Sequence, residues 1–492
     1  MPRRAALLAA GALALALAGC ANEDSASERS ALTGTPDFLE LVEDARVAVR
    51  GGALAEAGRL YDEALAIDPQ SPGLWVDIAR LRFRGGEHLL AIEAADHALA
   101  LDPAFAPALL MRAQLVRDAH GHAEALPWFE AAIAADPANG EALADHAATL
   151  GELGRYRAML AAVRRLAEVD TGAAQVPFFQ AVLAARANDP VLASTLIDRS
   201  GLSQRGVAAA MMLDAIVNLQ QGNHDTAAET LEQLAERMPA NIRVNELLAR
   251  SLWLGGRDRE IIDRFAERAA KPQASPYLVM LVGRAFERSG DRERALSLIE
   301  RALVPREAAM IGLEATRLLP EPTATIRTAL SAGNTAAARR ASERYLARWP
   351  SSGDVHLLAG DAAFAGGDIE RALEYYGTAA RVRRSAPLAR KLFAATRAFG
   401  DTEAAEALLV RAARGDPQNP DLLFLLAQLS AEREDWLRVA VLLDTAIGLG
   451  AASDLGVLAL RAEAAEALGD REEAARFDAL RRALKPGPFA AR

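Results

Sequence analysis

Few residues of this chain have the type and spacing that chemistry requires. The motifs of a phosphate-binding loop, a nucleophilic serine elbow and a zinc protease helix are all missing from the sequence. His120-Gly121-His122 comes nearest to a metal-binding pair, but it falls in a predicted turn between two helices. A solvated turn is the preferred interpretation, and a metal pair is the alternative. The sequence therefore predicts that the protein has no catalytic residue, bound metal or cofactor and is not an enzyme.

Cys20 is the only cysteine, so an exported form of this chain would contain no internal disulfide. It follows a basic start, Met1-Pro2-Arg3-Arg4, and an apolar run from Ala5 to Ala18. Such a segment is typical of a signal peptide, and the run is too short to span a membrane comfortably. The position of Cys20 at the end of this run favours modification over catalysis.

Leu17-Ala18-Gly19-Cys20 resembles the lipobox of bacterial lipoproteins, in which the cysteine is acylated. The alternative is an ordinary cysteine near a plain cleavage site. The resemblance implies a lipoprotein signal peptide over residues 1–20 and lipidation of Cys20, with more than one acyl chain giving lasting attachment. Because Ala21 stands where aspartate would signal retention in the inner membrane, we expect the protein to be anchored in the outer membrane and to face the periplasm. Residues 21–36 are polar and predict a flexible tether.

The helices that position the remaining residues are indicated by a small residue that recurs every 34 positions. A period this long, held over eight repeats, indicates stacked helical hairpins rather than one globular core. A second ladder of mostly glycine lies seven residues further on. The first ladder consists of Ala45, Ala79, Ala113, Ala147, Ala181, Ala215, Ala249 and Gly283.

Within each repeat, apolar residues recur at intervals of three and four, which is helical spacing. In the second repeat, the pattern predicts one helix over Leu74–Leu81 and another over Leu89–Leu101. Gly85-Gly86 would end the first helix, because glycine takes a left-handed conformation without steric cost. Asp102-Pro103 would end the second, because the residue before proline is forced out of helical geometry.

The residue types within the period resemble the tetratricopeptide repeat family, which has small residues at positions 8, 20 and 27, Gly at 15, an aromatic at 24 and Pro at 32. The first repeat supplies Ala45, Gly52, Ala57, Tyr61, Ala64 and Pro69. The resemblance implies an all-α fold, a right-handed α-solenoid of about 13 stacked hairpins. Two register blocks are predicted, because the pattern stops near Pro305 and resumes shifted. The arrays would span residues 37–308 and 324–486, with a Pro-rich break at 309–323 and a tail at 487–492.

The chain carries a net charge of −10 and has a pI near 5.4. A nucleic-acid binder needs a basic surface to neutralise phosphates, so nucleic acid is not expected as the partner. Repeats fill almost the whole length, which leaves too little chain for a separate catalytic domain.

The family resemblance implies that the first helix of each hairpin lines a binding groove, through positions 2, 5, 9, 12 and 13. Mapped onto this chain, these positions place arginines in the early repeats and apolar or aromatic residues in the middle ones. A solvated arginine face and an apolar superhelix interior are the alternatives. The candidate groove residues are Arg46, Arg50, Arg80, Arg84, Arg117, Phe178, Met212, Arg250, Trp253, Tyr277 and Arg284.

We therefore predict a non-enzymatic scaffold, lipid-anchored in the bacterial envelope, that binds envelope proteins and supports an export or assembly machine. Pilus assembly, exopolysaccharide export and outer-membrane biogenesis are the machines that the resemblance implies. The alternative is direct binding of an acidic polysaccharide or another anionic ligand, for which arginines would supply charge and Trp253 and Tyr277 a stacking surface. The sequence leaves the partner and the oligomeric state open.

Overall fold

The computed structural model describes residues 33–239, 241–271, 274–303 and 320–484. Throughout these residues the regular structure is helical, with 26 α-helices, one short 3-10 helix and no strand. The helices pack in chain order as consecutive hairpins. The predicted all-α repeat solenoid is therefore confirmed. Residues 1–32 and 304–319, which hold the lipobox and most of the predicted break, lie outside the described residues, so the lipid anchor and the array boundaries stay predictions.

The described chain divides into two compact units, and each combines repeats from before and after the break. Unit A contains residues 33–171 and 320–416. Its helices are α1 (Pro36–Arg50), α2 (Leu54–Ile67), α3 (Pro72–Arg84), α4 (His88–Leu101), α5 (Ala106–His120), α6 (His122–Ala135), α7 (Gly140–Glu152), α8 (Tyr156–Val169), α17 (Glu321–Ser331), α18 (Thr335–Arg348), α19 (Gly353–Ala365), α20 (Ile369–Val382), α21 (Ala386–Phe399) and α22 (Thr402–Gly415).

Unit B contains residues 172–303 and 417–484. A 3-10 turn at Ala451–Ser453 precedes its last hairpin. Its helices are α9 (Gln175–Arg186), α10 (Pro190–Ser200), α11 (Ala208–Gln221), α12 (His224–Arg237), α13 (Ile242–Leu254), α14 (Asp258–Ala270), α15 (Pro276–Arg288), α16 (Arg292–Leu303), α23 (Pro420–Ala431), α24 (Trp436–Gly448), α25 (Leu455–Ala467) and α26 (Arg471–Leu484).

The small-residue ladder marks where the two helices of a hairpin lie closest. Its seven alanines, from Ala45 to Ala249, are all completely buried. At the eighth position even a methyl group is too large, because a Cβ on Gly283 would lie 2.7 Å from Ile299 of the partner helix. Larger side chains fill the space around these contacts, among them Phe129 and Tyr61, and stabilise each hairpin by burial.

The predicted helix ends are confirmed in the second repeat. The Ser71 hydroxyl caps α3 by accepting a hydrogen bond from the Leu74 amide at 3.4 Å, and Pro72 occupies the first turn. Gly86 follows the helix with a φ of +81°. In the degenerate fifth repeat Asn188 takes the glycine position and adopts the same conformation, with a φ of +60°.

Candidate functional site

The candidate site is the first-helix face, which we define as positions 2, 5, 9, 12 and 13 on the first helix of each hairpin. In unit A, this face is built on pairs between position 9 of one repeat and position 6 of the next, which we call rungs. Arg46 forms the first rung: its Nε and Nη2 both lie 2.9 Å from Oδ2 of Asp77. Asp77 is only 5% exposed, and Arg80 stands 3.8 Å from its other oxygen. Arg46 and Arg80 therefore share one buried carboxylate.

A second rung of the same kind joins α5 and α7. Gln114 donates from Nε2 to Asp145 at 2.9 Å and to Glu141 at 3.1 Å. Arg117, another predicted groove residue, lies with Nη1 3.3 Å from Asp145 and its guanidinium 5.6 Å from the Phe129 ring centre. The positive charge of this part of unit A is thus matched by carboxylates of the next repeat.

Arg50 and Arg84 lie in the last turns of α1 and α3, where a cation is favoured by the carbonyl end of the helix. Arg50 pairs with Glu43 at 3.0 Å. Arg84 donates to the carbonyl oxygen of Val49 at 2.9 Å. Both contacts are solvent-exposed, so each contributes little to stability.

A third rung in unit A has its charges reversed, and sequence reasoning missed it. Asp361 stands at position 9 on α19, and both of its oxygens lie 2.5 Å from Nζ of Lys391 on α21. The Tyr376 hydroxyl donates to the same carboxylate at 2.8 Å, and burial raises the pKa of Tyr376 far above its ordinary value. Both ends of the ion pair are about 10% exposed. The available signal was an ionisable residue at position 9 with an opposite charge 30 positions later.

Arg327 lies one repeat before this pair, also at position 9. Burial lowers the pKa of its guanidinium, while Asp361 and Asp354 act in the opposite direction. Its Nε is buried and has no hydrogen-bond partner among the described residues. The first-helix face of unit A therefore holds buried charge in both of its chain segments.

Unit B presents a different first-helix face. Position 9 holds Val182 and Ile216, and position 6 of each following repeat holds Leu213 and Leu247, all less than 9% exposed. Phe178, predicted as a groove residue, is completely buried with its ring centre 5.8 Å from that of Phe179. The structure therefore places Phe178 in the core instead of on a contact surface.

Three predicted groove residues of unit B are partly buried and pack against one hydrophobic cluster: Met212 on α11, Trp253 on α13 and Tyr277 on α15. The indole N–H of Trp253 has no hydrogen-bond partner in the described chain. Arg288 lies 4.9 Å from the Trp253 ring centre and also donates to its carbonyl oxygen at 2.8 Å. These side chains give the face an apolar strip with some exposed surface.

The two predicted arginines of unit B differ from each other. Arg284 pairs with Glu287 at 2.9 Å. Arg250 is half-buried and, within the parts of the chain that the structure describes, makes neither an ion pair nor a hydrogen bond. Its rung position faces a repeat with Leu281 at position 6, so no carboxylate is supplied there. On α13, Arg250 and Trp253 are three residues apart and share one side of the helix.

One further acid lies on the face of unit B. Glu246, at position 5 of α13, accepts a hydrogen bond from the Ser275 hydroxyl and lies 3.9 Å from Arg243. Burial raises the pKa of Glu246, and Asp421 and Asp454 of later repeats raise it further, against the effect of Ser275 and Arg243. No local sequence pattern indicates the raised pKa of Glu246, because the acidic neighbours come from distant repeats.

The described residues contain no cluster of three or more His, Cys, Asp or Glu side chains suited to a metal ion. Of the histidine pair in the turn, burial lowers the pKa of His122 to about 4, with Arg117 acting in the same direction. None of the helices in the described segments combines the length and the apolar character needed to cross a membrane.

Comparison with known families finds matches to the tetratricopeptide repeat in three stretches of the chain. One tetratricopeptide repeat model matches residues 76–140 and again 323–389, and a second matches residues 279–308. The matches fall on both sides of the predicted break. Among curated protein sequences, no match to this chain is found.

Solved structures with the same kind of helical repeat match at low identity. A tetratricopeptide repeat protein from Parabacteroides merdae is 17% identical, covering 55% of this chain and 93% of its own, with a TM-score of 0.28. PilW, a type IV pilus biogenesis factor, is 19% identical over 44% of this chain and 100% of its own, with a TM-score of 0.36. Yeast Tom70 is 13% identical over 88% of this chain and 96% of its own, with a TM-score of 0.33. Likeness at this level carries no argument about function.

Proposed function

Because the chain is a tetratricopeptide repeat protein, we propose that it is a non-enzymatic scaffold whose first-helix face binds segments of other proteins. Tetratricopeptide repeats form protein-binding scaffolds, and the repeats of this chain run through both compact units. The observation that carries the proposal is Arg250, a half-buried cation without a counter-ion, beside the partly exposed apolar strip of Met212, Trp253 and Tyr277.

The chemistry of this strip selects one kind of partner segment. Aromatic and methionine side chains in a half-buried strip give anchoring sites for apolar side chains. A guanidinium without a carboxylate partner binds an acidic group in two parallel hydrogen bonds. The preferred ligand is therefore a peptide segment with an apolar anchor next to Asp, Glu or a terminal carboxylate.

The finer part of the proposal concerns location. We propose that Cys20 carries the lipid anchor, that the chain sits at the outer membrane facing the periplasm, and that it supports an envelope export or assembly machine. A tether that holds many weak binding positions near one membrane raises the effective concentration of each partner. The amino-terminal segment with Cys20 at the end of its apolar run supports this assignment.

Site-specific crosslinking tests the binding face. A photo-crosslinking residue replaces Arg250 in the full chain in its native cells, and in a matched control it replaces Arg259, an exposed arginine on α14 of the same unit. We expect discrete protein adducts from position 250 that are missing from position 259. Adducts of equal pattern from both positions, or none from position 250, would rule out this face as the binding surface.

A titration tests the alternative ligand, an anionic polysaccharide. Purified chain is titrated with an anionic polysaccharide at low and high salt, alongside Arg250→Glu. Saturable binding that salt weakens and the substitution abolishes would assign the face to polysaccharide, since screened charge contacts lose affinity with ionic strength. We expect no saturable binding, because the chain itself has a net charge of −10.

Cell fractionation tests the anchor by itself. In Cys20→Ala the acylation site is lost, so the protein is expected to leave the membrane fraction for the soluble fraction, because the anchoring acyl chains each add about 0.8 kcal/mol per buried CH₂. Cys20→Ala protein that stays with the membrane would contradict the lipid assignment while leaving the binding face untouched.

A further inference from the structure

Unit A contains a contact between repeats that are far apart in the sequence. Helices α4 and α5 of the second and third hairpins pack against α20, and α6 packs against α22. The residues that meet are more than 260 positions apart in the sequence. We call this contact the clasp.

Three backbone amides donate hydrogen bonds across the clasp, and the Arg383 guanidinium pairs with Asp118 there at 3.4 Å. The Leu89 amide donates to the carbonyl oxygen of Ser351 at 3.1 Å, and the Arg384 amide donates to that of Asp118 at 2.8 Å. The Gly353 amide donates to Nδ1 of His88 at 3.1 Å. Of these three bonds, the one to His88 alone has a titratable acceptor. Such a bond exists only while Nδ1 keeps its lone pair, that is, while the imidazole is neutral.

Two glycines allow the closest part of the clasp. A Cβ on Gly121, at the turn between α5 and α6, would lie 2.5 Å from the Cα of Gly415 at the end of α22. A Cβ on Gly415 would lie 2.7 Å from the carbonyl oxygen of His120. Any other residue at either position would therefore push the two backbones apart. Gly121 also has a φ of +96°, which disfavours other residues there.

We propose that the clasp is a pH-operated closure of unit A, shut while His88 and His120 are neutral and released when they take up protons in mildly acidic solution. A proton on Nδ1 of His88 turns the acceptor of the Gly353 bond into a second donor. Two N–H groups then point at each other, and the amide loses its partner. Release exposes surfaces of α4, α5, α20 and α22 that the closed unit covers.

The charges around His88 agree with this closure. Burial against the clasp lowers the pKa of His88; Arg383 lowers it as well, while Asp354 raises it. The Phe83 ring contributes an uncharged neighbour, with its centre 5.2 Å from that of the imidazole. Because the closed state binds its proton less readily than the open state, closure is complete above the ordinary histidine pKa of about 6.5 and weakens as the pH falls below it.

His120 acts in the same direction. His120 lies at the exposed edge of the clasp, where partial desolvation lowers its pKa, and so do Arg384 and Arg411 from the other side of the clasp and Arg112 from its own helix, against Glu124 alone. A proton on His120 would therefore meet two arginines across the contact. His122, with a pKa near 4, stays neutral through this window and plays no part in the response.

Amide hydrogen exchange in the full chain tests the proposal. Exchange is followed by mass spectrometry in peptides that carry the amides of Gly353 and Arg384, at about pH 7.5 and about pH 5.5, on either side of the ordinary histidine pKa. After correction for the intrinsic pH dependence of exchange, we expect roughly ten-fold faster exchange in these peptides at the lower pH. Peptides from α24 in unit B, which contains no histidine, serve as the internal control and should not change.

Matched variants assign the response. His88→Gln keeps an acceptor oxygen but cannot titrate, so most of the acid response should disappear. His97→Gln, an exposed histidine on the same helix, should keep it in full. Gly121→Ala should raise exchange at both pH values, with circular dichroism reporting whether helix content is intact. Equal exchange at both pH values in the native chain, or an undiminished acid response in His88→Gln, would overturn the proposal.

Discussion

Units A and B differ in the residue types at the positions where consecutive repeats meet. In unit A, three junctions pair a charged or amide side chain at position 9 with position 6 of the next repeat, as in Arg46–Asp77 and Asp361–Lys391. In unit B, the junctions Val182–Leu213 and Ile216–Leu247 are apolar, and Arg250 at position 9 faces Leu281. The helical framework is of one kind, so the difference lies in the junction chemistry alone.

The two units show how one repeat array can use some junctions between repeats to fix the stacking register and others to leave side chains available for binding. A buried ion pair gains little net free energy, because desolvation offsets the attraction, but a misaligned neighbour would leave a charge unpaired. An apolar junction gains free energy from burial and supplies no carboxylate, which leaves Arg250 without a counter-ion. We infer that polar rungs fix the stacking of unit A and that the apolar junctions of unit B leave charge available for a ligand.

The reversed rung should show the largest effect. Asp361→Asn leaves Lys391 buried without a countercharge, and we expect a loss of about 3–5 kcal/mol in the free energy of unfolding of unit A. Urea unfolding followed by circular dichroism gives the measurement. The double substitution Asp361→Leu with Lys391→Met should recover most of the loss.

An exposed ion pair of the same unit is the control for this experiment. Arg59→Ala removes contacts to Glu56 and Glu63 on the surface of α2, and we expect no measurable change in the free energy of unfolding, because solvent screens an exposed ion pair. If Asp361→Asn costs no more than Arg59→Ala, the rung carries no buried charge in solution and the comparison of the units fails.

The apolar junction of unit B should be the next most sensitive. Leu247→Ala removes a side chain that is 2% exposed in the main cluster of unit B, and we expect a loss of about 2–5 kcal/mol from transfer and cavity formation. Differential scanning calorimetry measures it. Leu254→Ala, an exposed leucine on the same helix, should change the free energy of unfolding by less than a quarter of that amount.

Arg46 and Arg80 allow two arginines of unit A that contact the same carboxylate to be compared. Arg46→Ala removes two contacts at 2.9 Å to the buried Asp77 carboxylate, and we expect a loss of about 1–3 kcal/mol. Arg80→Ala removes a contact at 3.8 Å to the same carboxylate from a more exposed side chain and should cost less than Arg46→Ala. Equal losses in urea unfolding would show that the two arginines share Asp77 evenly.

Glu246 should give the smallest effect. Because burial raises its pKa in the folded state, its contribution to stability is complete below the ordinary pKa of glutamate and falls as the pH rises through the raised value. Glu246→Gln removes the ionised form, and we expect a gain of about 1 kcal/mol near neutral pH that vanishes near pH 4. Thermal unfolding across this range measures it, and a stability loss at neutral pH would contradict the assignment.

The predicted groove residues occupy different environments in the structure, and the repeat pattern alone does not predict which environment each one has. The period placed Arg46 and Arg250 at position 9 and Phe178 at position 5 of their repeats, and the structure keeps all three on the first helices of their hairpins. What each can do depends on the side chains packed around it. Asp77 neutralises Arg46, Phe179 covers Phe178 together with the core, and Leu281 leaves Arg250 alone.

The sequence by itself determined the hairpins, their helix ends and the buried small-residue ladder, because helix formation, capping and close packing depend on residues within one period. Ala45 and Gly283 are buried as the period requires. Only the tertiary structure decided which distant repeats meet in one unit, such as His88 with Gly353 or Glu246 with Asp454. Contacts across hundreds of residues depend on how small rotations accumulate from one repeat to the next, and no local pattern encodes that sum.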